Sequence, residues 1–198
     1  MNEAATPESA AHRNLFTLWL ILAVCLLPVV ASTALFYLAP PAERMNYGDL
    51  ISPPIPLPDL ILPGVNGTPI PLAQLRGKWT MVHIDGADCG LACKAKLYKM
   101  RQVRLTQGKN MDRVQRVWVI TDDAPVSEGL SREYAGTIMV RVNQRDVLLR
   151  AFPATASVEE HIWMVDPLGN VMLRFPSDAD PSRMKADLTR LLRVSRIE

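Results

Sequence analysis

Between Leu15 and Ala39 the chain carries no charged residue, reading LFTLWLILAVCLLPVVASTALFYLA. These 25 residues exceed the roughly 20 that a helix needs to cross a bilayer. Trp19 near one end, and Phe36 and Tyr37 near the other, carry rings of the kind that settle at membrane–water interfaces. Pro28 is tolerated in a spanning helix. Two other readings compete. A buried core helix is argued against by the length and uniformity of the run. A cleaved signal peptide has an apolar region of about 7–15 residues followed by small residues; Ala31-Ser32-Thr33-Ala34 supplies the latter, but the run is too long. The sequence therefore predicts an uncleaved transmembrane anchor over residues 15–39.

Arg13 precedes the run and Arg44 follows it, so the flanking charges barely favour either orientation. The short tail before the run and the large remainder after it predict a single-pass anchor in the cell inner membrane. Residues 1–14 form a short cytoplasmic tail in this reading, and the C-terminal domain is periplasmic. The formal net charge of +2, with no Lys/Arg run of five, argues against nucleic-acid binding.

Prolines crowd the next stretch: Pro40, Pro41, Pro53, Pro54, Pro56 and Pro58, with Pro63, Pro69 and Pro71 beyond. Residues 40–56 are predicted to be an extended, semi-rigid linker, and 57–198 the folded domain. Within it, Trp79–Ile84 and Val114–Thr121 read as buried strands. Cys89, Cys93, Leu97, Met100 and Val103 share one face of an intervening helix. A short helix at Leu130–Tyr134, a strand at Thr137–Val142 and a helical turn at Asp146–Phe152 follow. Ile162–Val165 and Val171–Phe175 flank Asp166-Pro167-Leu168-Gly169-Asn170, a hairpin signal. The last helix starts with Asp180 as cap and Pro181 at its first position. This order predicts an α/β fold with a central mixed sheet flanked by helices.

The chemistry concentrates in HIDGADCGLACKAKL, where a strand passes through a short loop into a helix. Cysteines four apart on a helix share a face, at a Cα separation of roughly 6 Å, which a disulfide can close. Unpaired N–H groups and the dipole at a helix start favour the thiolate. Asp88 is a candidate helix cap. A redox pair and a metal site share this geometry, and two inert core cysteines are the bland alternative. Two thiolates suit Cu(I) or Zn(II) but rarely complete a site, so a third ligand is needed. His83 lies in the strand before the loop, His161 opens a later strand, and His12 precedes the apolar run. Cys25 falls within that run and reads as lipid-facing. By position alone, His161 reads as a polar residue at a strand start, His83 as a core histidine with an alternate ligand as the second reading, and Asp85 as a loop acid.

GKWTMVHIDGADCGLAC, followed much later by EEHIWMVDPLGN, resembles the Sco/SenC family of cytochrome c oxidase assembly proteins. VWVITDD also resembles the family strand that ends in an acidic residue. The resemblance covers about 57–192. It implies a thioredoxin-like domain after one N-terminal transmembrane helix, and a copper site of Cys89, Cys93 and His161 serving Cu(I) or Cu(II). It implies a metallochaperone rather than an enzyme. The implied partners are the copper subunit of cytochrome c oxidase or another copper chaperone. The chain departs from the family pattern in having Gly90 and Lys94 where proline usually follows each cysteine. The Cys93–His161 interval, at 68 residues, is also short. Two other functions stay open: a thiol–disulfide oxidoreductase in which Cys89 and Cys93 are catalytic, and a metal-free membrane assembly module.

Overall fold

The computed structural model describes residues 7–38, 46–142 and 145–195. The chain divides into two compact units, Met1–Met45 and Asn46–Glu198.

The first unit is one helix, α1 (Pro7–Leu38). It starts earlier than the apolar run, with Pro7 at its first position, where a missing N–H costs nothing. Pro28 lies inside it. Every side chain from Thr17 to Leu35 is exposed. That segment is long and apolar enough to cross a membrane, and α1 is the one such helix among the described residues. Of the expected tail, residues 1–6 lie outside the described residues.

The second unit is built on a six-stranded mixed sheet, in the order β1-β8-β7-β4-β5-β6. The strands are β1 (Asp49–Pro56), β4 (Trp79–Asp85), β5 (Val114–Ile120), β6 (Ile138–Arg141), β7 (Ile162–Val165) and β8 (Asn170–Phe175). A separate two-stranded sheet pairs β2 (Ile61–Pro63) with β3 (Pro69–Pro71). β4, β5 and β6 run parallel; β7 is antiparallel to both β4 and β8, and β8 to β1. Helices α2 (Leu91–Leu105), α3 (Glu128–Glu133), α4 (Arg145–Leu149) and α5 (Pro181–Val194) complete the unit.

β4 is buried along its length except at Asp85, as befits a central strand covered on both faces. Trp79 and Met81 pack against Met100 and Val103 of α2 and against Met184, Leu188 and Leu192 of α5. Val82 and Ile84 point the other way, into a core with Val117, Val119, Trp163, Leu148 and Phe152. The alternation is the ordinary period of two along a strand. The β7–β8 turn matches its sequence signal: Asp166 accepts hydrogen bonds from the N–H groups of Leu168 (2.9 Å) and Asn170 (2.8 Å). Asp180 caps α5 by accepting from Ser182 N (2.6 Å) and Arg183 N (3.1 Å), with Pro181 following.

The expected linker over 40–56 requires correction at its C-terminal end. Residues 39–45 lie outside the described residues, but Asp49–Pro56 is strand β1, paired with β8. Proline lacks the N–H that a ladder needs, yet an edge strand tolerates it. Pairing breaks between Leu50, opposite Leu173, and Ile55, opposite Val171, so that Pro53 and Pro54 stand in the interruption. A buried carboxylate fixes the entry to this strand: Asp187 of α5 accepts from Tyr47 N (2.8 Å) and Gly48 N (2.9 Å). Gly48 lies so close to β8 that a Cβ there would sit 2.4 Å from Leu173 Cδ2.

Replacing Asp187 by Ala leaves two N–H groups without their acceptor and removes the clamp between α5 and the start of β1. The expected loss is about 2–4 kcal/mol, read as a lower midpoint in equilibrium urea unfolding.

Candidate redox and metal site

β4 and β5 pair in parallel from Trp79↔Val114 to Asp85↔Ile120, so both strands end at the same edge. The segment carrying the cysteines leaves β4 at that edge and is held by groups from both strands. Asp85 Oδ1 accepts from Gly86 N (2.8 Å), and Asp122, just beyond β5, accepts from Ala87 N (3.1 Å to Oδ2). A Cβ at Gly86 would lie 2.6 Å from Asp122 Oδ2, so a larger residue would displace the carboxylate that holds Ala87. Arg141 then fixes the Asp122 turn by donating to the carbonyls of Asp122 (2.7 Å) and Ala124 (2.8 Å). Asp122 lies in the VWVITDD segment that sequence comparison singled out, and its role here is to position the cysteine loop.

Cys89 and Cys93 form a disulfide with a Cα–Cα distance of 5.1 Å. Both are buried, packed among Leu97, Trp118, Ile120, Leu130 and Tyr134. The shared-helix expectation needs adjustment. α2 begins at Leu91 with Gly90 as its N-cap, so Cys93 is in the first turn and Cys89 precedes the helix. Cys89 instead has a left-handed backbone (φ 38°) that turns the loop into the helix. Asp88 is therefore not the cap, and Gly90 makes no side-chain cap hydrogen bond. Cys25 is free and exposed on α1.

The structure does not place His161 beside the sulfurs. His161 immediately precedes β7, and its ring packs edge-on against Trp163, with ring centroids 5.5 Å apart. Trp163 belongs to the core on the opposite face of the sheet from α2. Nδ1 of His161 lies 2.9 Å from the Phe175 carbonyl. Only a protonated nitrogen can donate to that oxygen, so in the neutral ring the lone pair falls on Nε2.

The histidine brought to the cysteines is His83, expected to be a core residue. Ligand atoms of His83, Asp85 and Cys93 all lie within 4.8 Å of one another. His83 is fully buried. Its Nδ1 faces the His161 carbonyl at 3.4 Å, and its Nε2 lies 3.3 Å from Asp85 Oδ2 without hydrogen-bond geometry. Alternation along β4 was enough to place residues 81, 83 and 85 on one face. The packing of α2 over that face was not readable from spacing. For Asp85, burial pushes the carboxyl pKa up, but the contact with His83, the Gly86 N–H and the charge of Lys96 outweigh it and hold it below the usual 3.8.

The fold and site together define a thioredoxin-fold protein with a buried disulfide at the junction of a central strand and a helix. The chain belongs to the family described as transmembrane-like, thioredoxin-like, C-terminal domain, which matches residues 79–195. No curated protein matches it in sequence. Among solved structures the chain is similar in fold to Bradyrhizobium japonicum ScoI with copper bound, at TM-score 0.52 and 18% identity, covering 71% of this chain and 98% of that one. Yeast Sco1 with copper bound gives TM-score 0.57 and 14% identity, covering 77% and 96%. The apo Sco1 protein of Thermus thermophilus gives 0.57 and 18%, covering 77% and 98%. The expected α/β, thioredoxin-like architecture is thus observed.

Because the folded-state pKa of Asp85 lies below its unfolded value, the ionised carboxylate stabilises the fold above that unfolded value. The contribution is lost as pH falls through the folded pKa. Asp85→Asn is expected to flatten the acid limb of stability: between about pH 7 and pH 3 its urea midpoint falls less than that of the wild type.

Proposed function

We propose that this chain is a membrane-anchored copper-binding assembly factor of the Sco/SenC kind. Cys89 and Cys93 supply two thiolates and His161 an imidazole to one copper ion, destined for the copper subunit of cytochrome c oxidase or received from another copper chaperone. The observation that carries the reading is the cysteine pair, held within bonding distance at the strand–helix junction of this fold. Two solved structures of similar fold are described as having copper bound. Two thiolates and an imidazole are a suitable donor set for Cu(I), and His161 leaves Nε2 for a metal while Nδ1 engages a carbonyl. Copper is cargo in this reading.

The disulfide must open before copper enters. Two electrons and two protons from a dithiol convert the Cys89–Cys93 bond to two thiols, and the donor leaves as its own disulfide. His161 must also leave Trp163 to reach the sulfurs. The apolar helix supports a single-pass anchor. The disulfide supports an oxidising compartment, and with it a periplasmic domain on the inner membrane. The closed disulfide also favours a second reading, thiol–disulfide exchange that prepares a partner's cysteines. The three residues between the cysteines weigh against it, since redox pairs usually have two.

The test is anaerobic Cu(I) loading of the full chain in detergent after reduction. One copper per chain is expected in the wild type, none in Cys89→Ser, and at least about tenfold weaker binding in His161→Ala. Unchanged copper in Cys89→Ser rules the site out.

A further inference from the structure

His83, Asp85 and Cys93 form a cluster of possible metal donors that does not include His161. We propose that, once the disulfide is reduced, His83, Asp85 and Cys93, joined by Cys89, bind a borderline divalent cation of the Zn(II) class on the α2 face of the sheet. The site shares its cysteines with the copper reading but stands independently of it.

Geometry is the first support. A metal with ligand bonds of about 2.0–2.3 Å holds its donor atoms about 3–4 Å apart. The donor atoms of His83, Asp85 and Cys93 are already within 4.8 Å of one another. They are carried by a central strand and by the first turn of the helix packed on it, so small side-chain adjustments bring them to bonding distance.

The second support is His83 itself. Its same-face neighbours on β4 and β7 are apolar Met81 and Ile162 on one side and the Asp85 carboxylate on the other, so the imidazole faces an acid across the edge of the core. Its Nε2 is buried and has no hydrogen-bond partner. Its Nδ1 is directed to the His161 carbonyl. An Nδ1–H held by a backbone carbonyl, with Nε2 turned to an acid that can share a cation, is the arrangement by which proteins orient a metal-ligating histidine.

Donor chemistry then selects the ion. Cu(I) favours soft sulfur, whereas a set of thiolate, imidazole and carboxylate suits tetrahedral Zn(II). The charges also balance. Two thiolates and the Asp85 carboxylate bring three negative charges, and a dication together with Lys96, largely buried and close enough to act on Asp85, brings three positive ones. In the oxidised chain the Cys93 sulfur is committed to Cys89, so binding follows reduction. A dithiol donor supplies two electrons and two protons to the disulfide, and the two thiols release their protons to solvent as the cation enters.

The experiment uses the full chain in detergent micelles with Co(II) as the spectroscopic probe. The reduced wild type and His161→Ala are expected to bind one Co(II) per chain. Binding appears as thiolate-to-metal charge transfer, as the strong visible bands of four-coordinate cobalt, and as displacement by Zn(II). The oxidised chain is expected to show neither band. His83→Gln, which retains a donor toward the His161 carbonyl, is expected to weaken Co(II) by at least about tenfold while leaving the Cu(I) stoichiometry intact. Asp85→Asn, at the partly exposed strand end, is the second variant and decides the matter if His83→Gln fails to fold. Absence of the four-coordinate spectrum in the reduced wild type overturns the site. So does wild-type Co(II) affinity in a folded His83→Gln, or in Asp85→Asn when that variant decides, and so does loss of Co(II) in His161→Ala. Failure of Cu(I) loading with Co(II) binding retained overturns the copper reading alone.

Discussion

The parallel register of β4 on β5 is the constraint from which the site follows. Seven consecutive pairs end both strands at one edge, with Asp85 opposite Ile120. Parallel strands leave a sheet on the same side, so the acids that follow each strand meet there. Asp85 holds the first N–H of the cysteine loop and Asp122 the next. With those two amides fixed, the loop has little freedom before α2 begins, and the sulfurs are delivered to bonding distance. The two cores hold this register, because a slip by one residue would turn Met81 and His83 away from α2.

The core on either side makes the same point energetically. The sheet separates two apolar layers, one filled by α2 and α5 and the other by Leu62, Leu72, Leu148 and Phe152. A buried imidazole on the first layer and a more accessible one against the second differ by one position along the register, since His83 pairs with Ile162 and His161 precedes it. Two histidines that are neighbours across strands therefore face different chemistry.

Much of this was legible before any coordinates. The buried strands, the Asp-Pro-x-Gly hairpin and the Asp180–Pro181 helix start each carry a local signal with a local cause, and each forms where it was read. β1 was not, because its prolines signal a linker. Its pairing depends on β8, more than a hundred residues away, and on the Asp187 clamp from α5. The side of the sheet taken by each histidine was only partly legible. Alternation from Trp163 places His161 away from α2, but only the packing of α2 reveals that His83 is the histidine beside the cysteines. Spacing likewise put Cys89 on the helix, where a left-handed turn instead lets Gly90 start it.

β1 has a further consequence at the margin of the sheet. An open strand edge invites pairing with a strand of another chain. Here one outer strand carries Pro53, Pro54 and Pro56, with its ladder interrupted, and the other, β6, is four residues long. Neither margin offers a long row of free donors and acceptors. The prolines that disguise β1 in the sequence thus leave its outer side a poor template for a further strand.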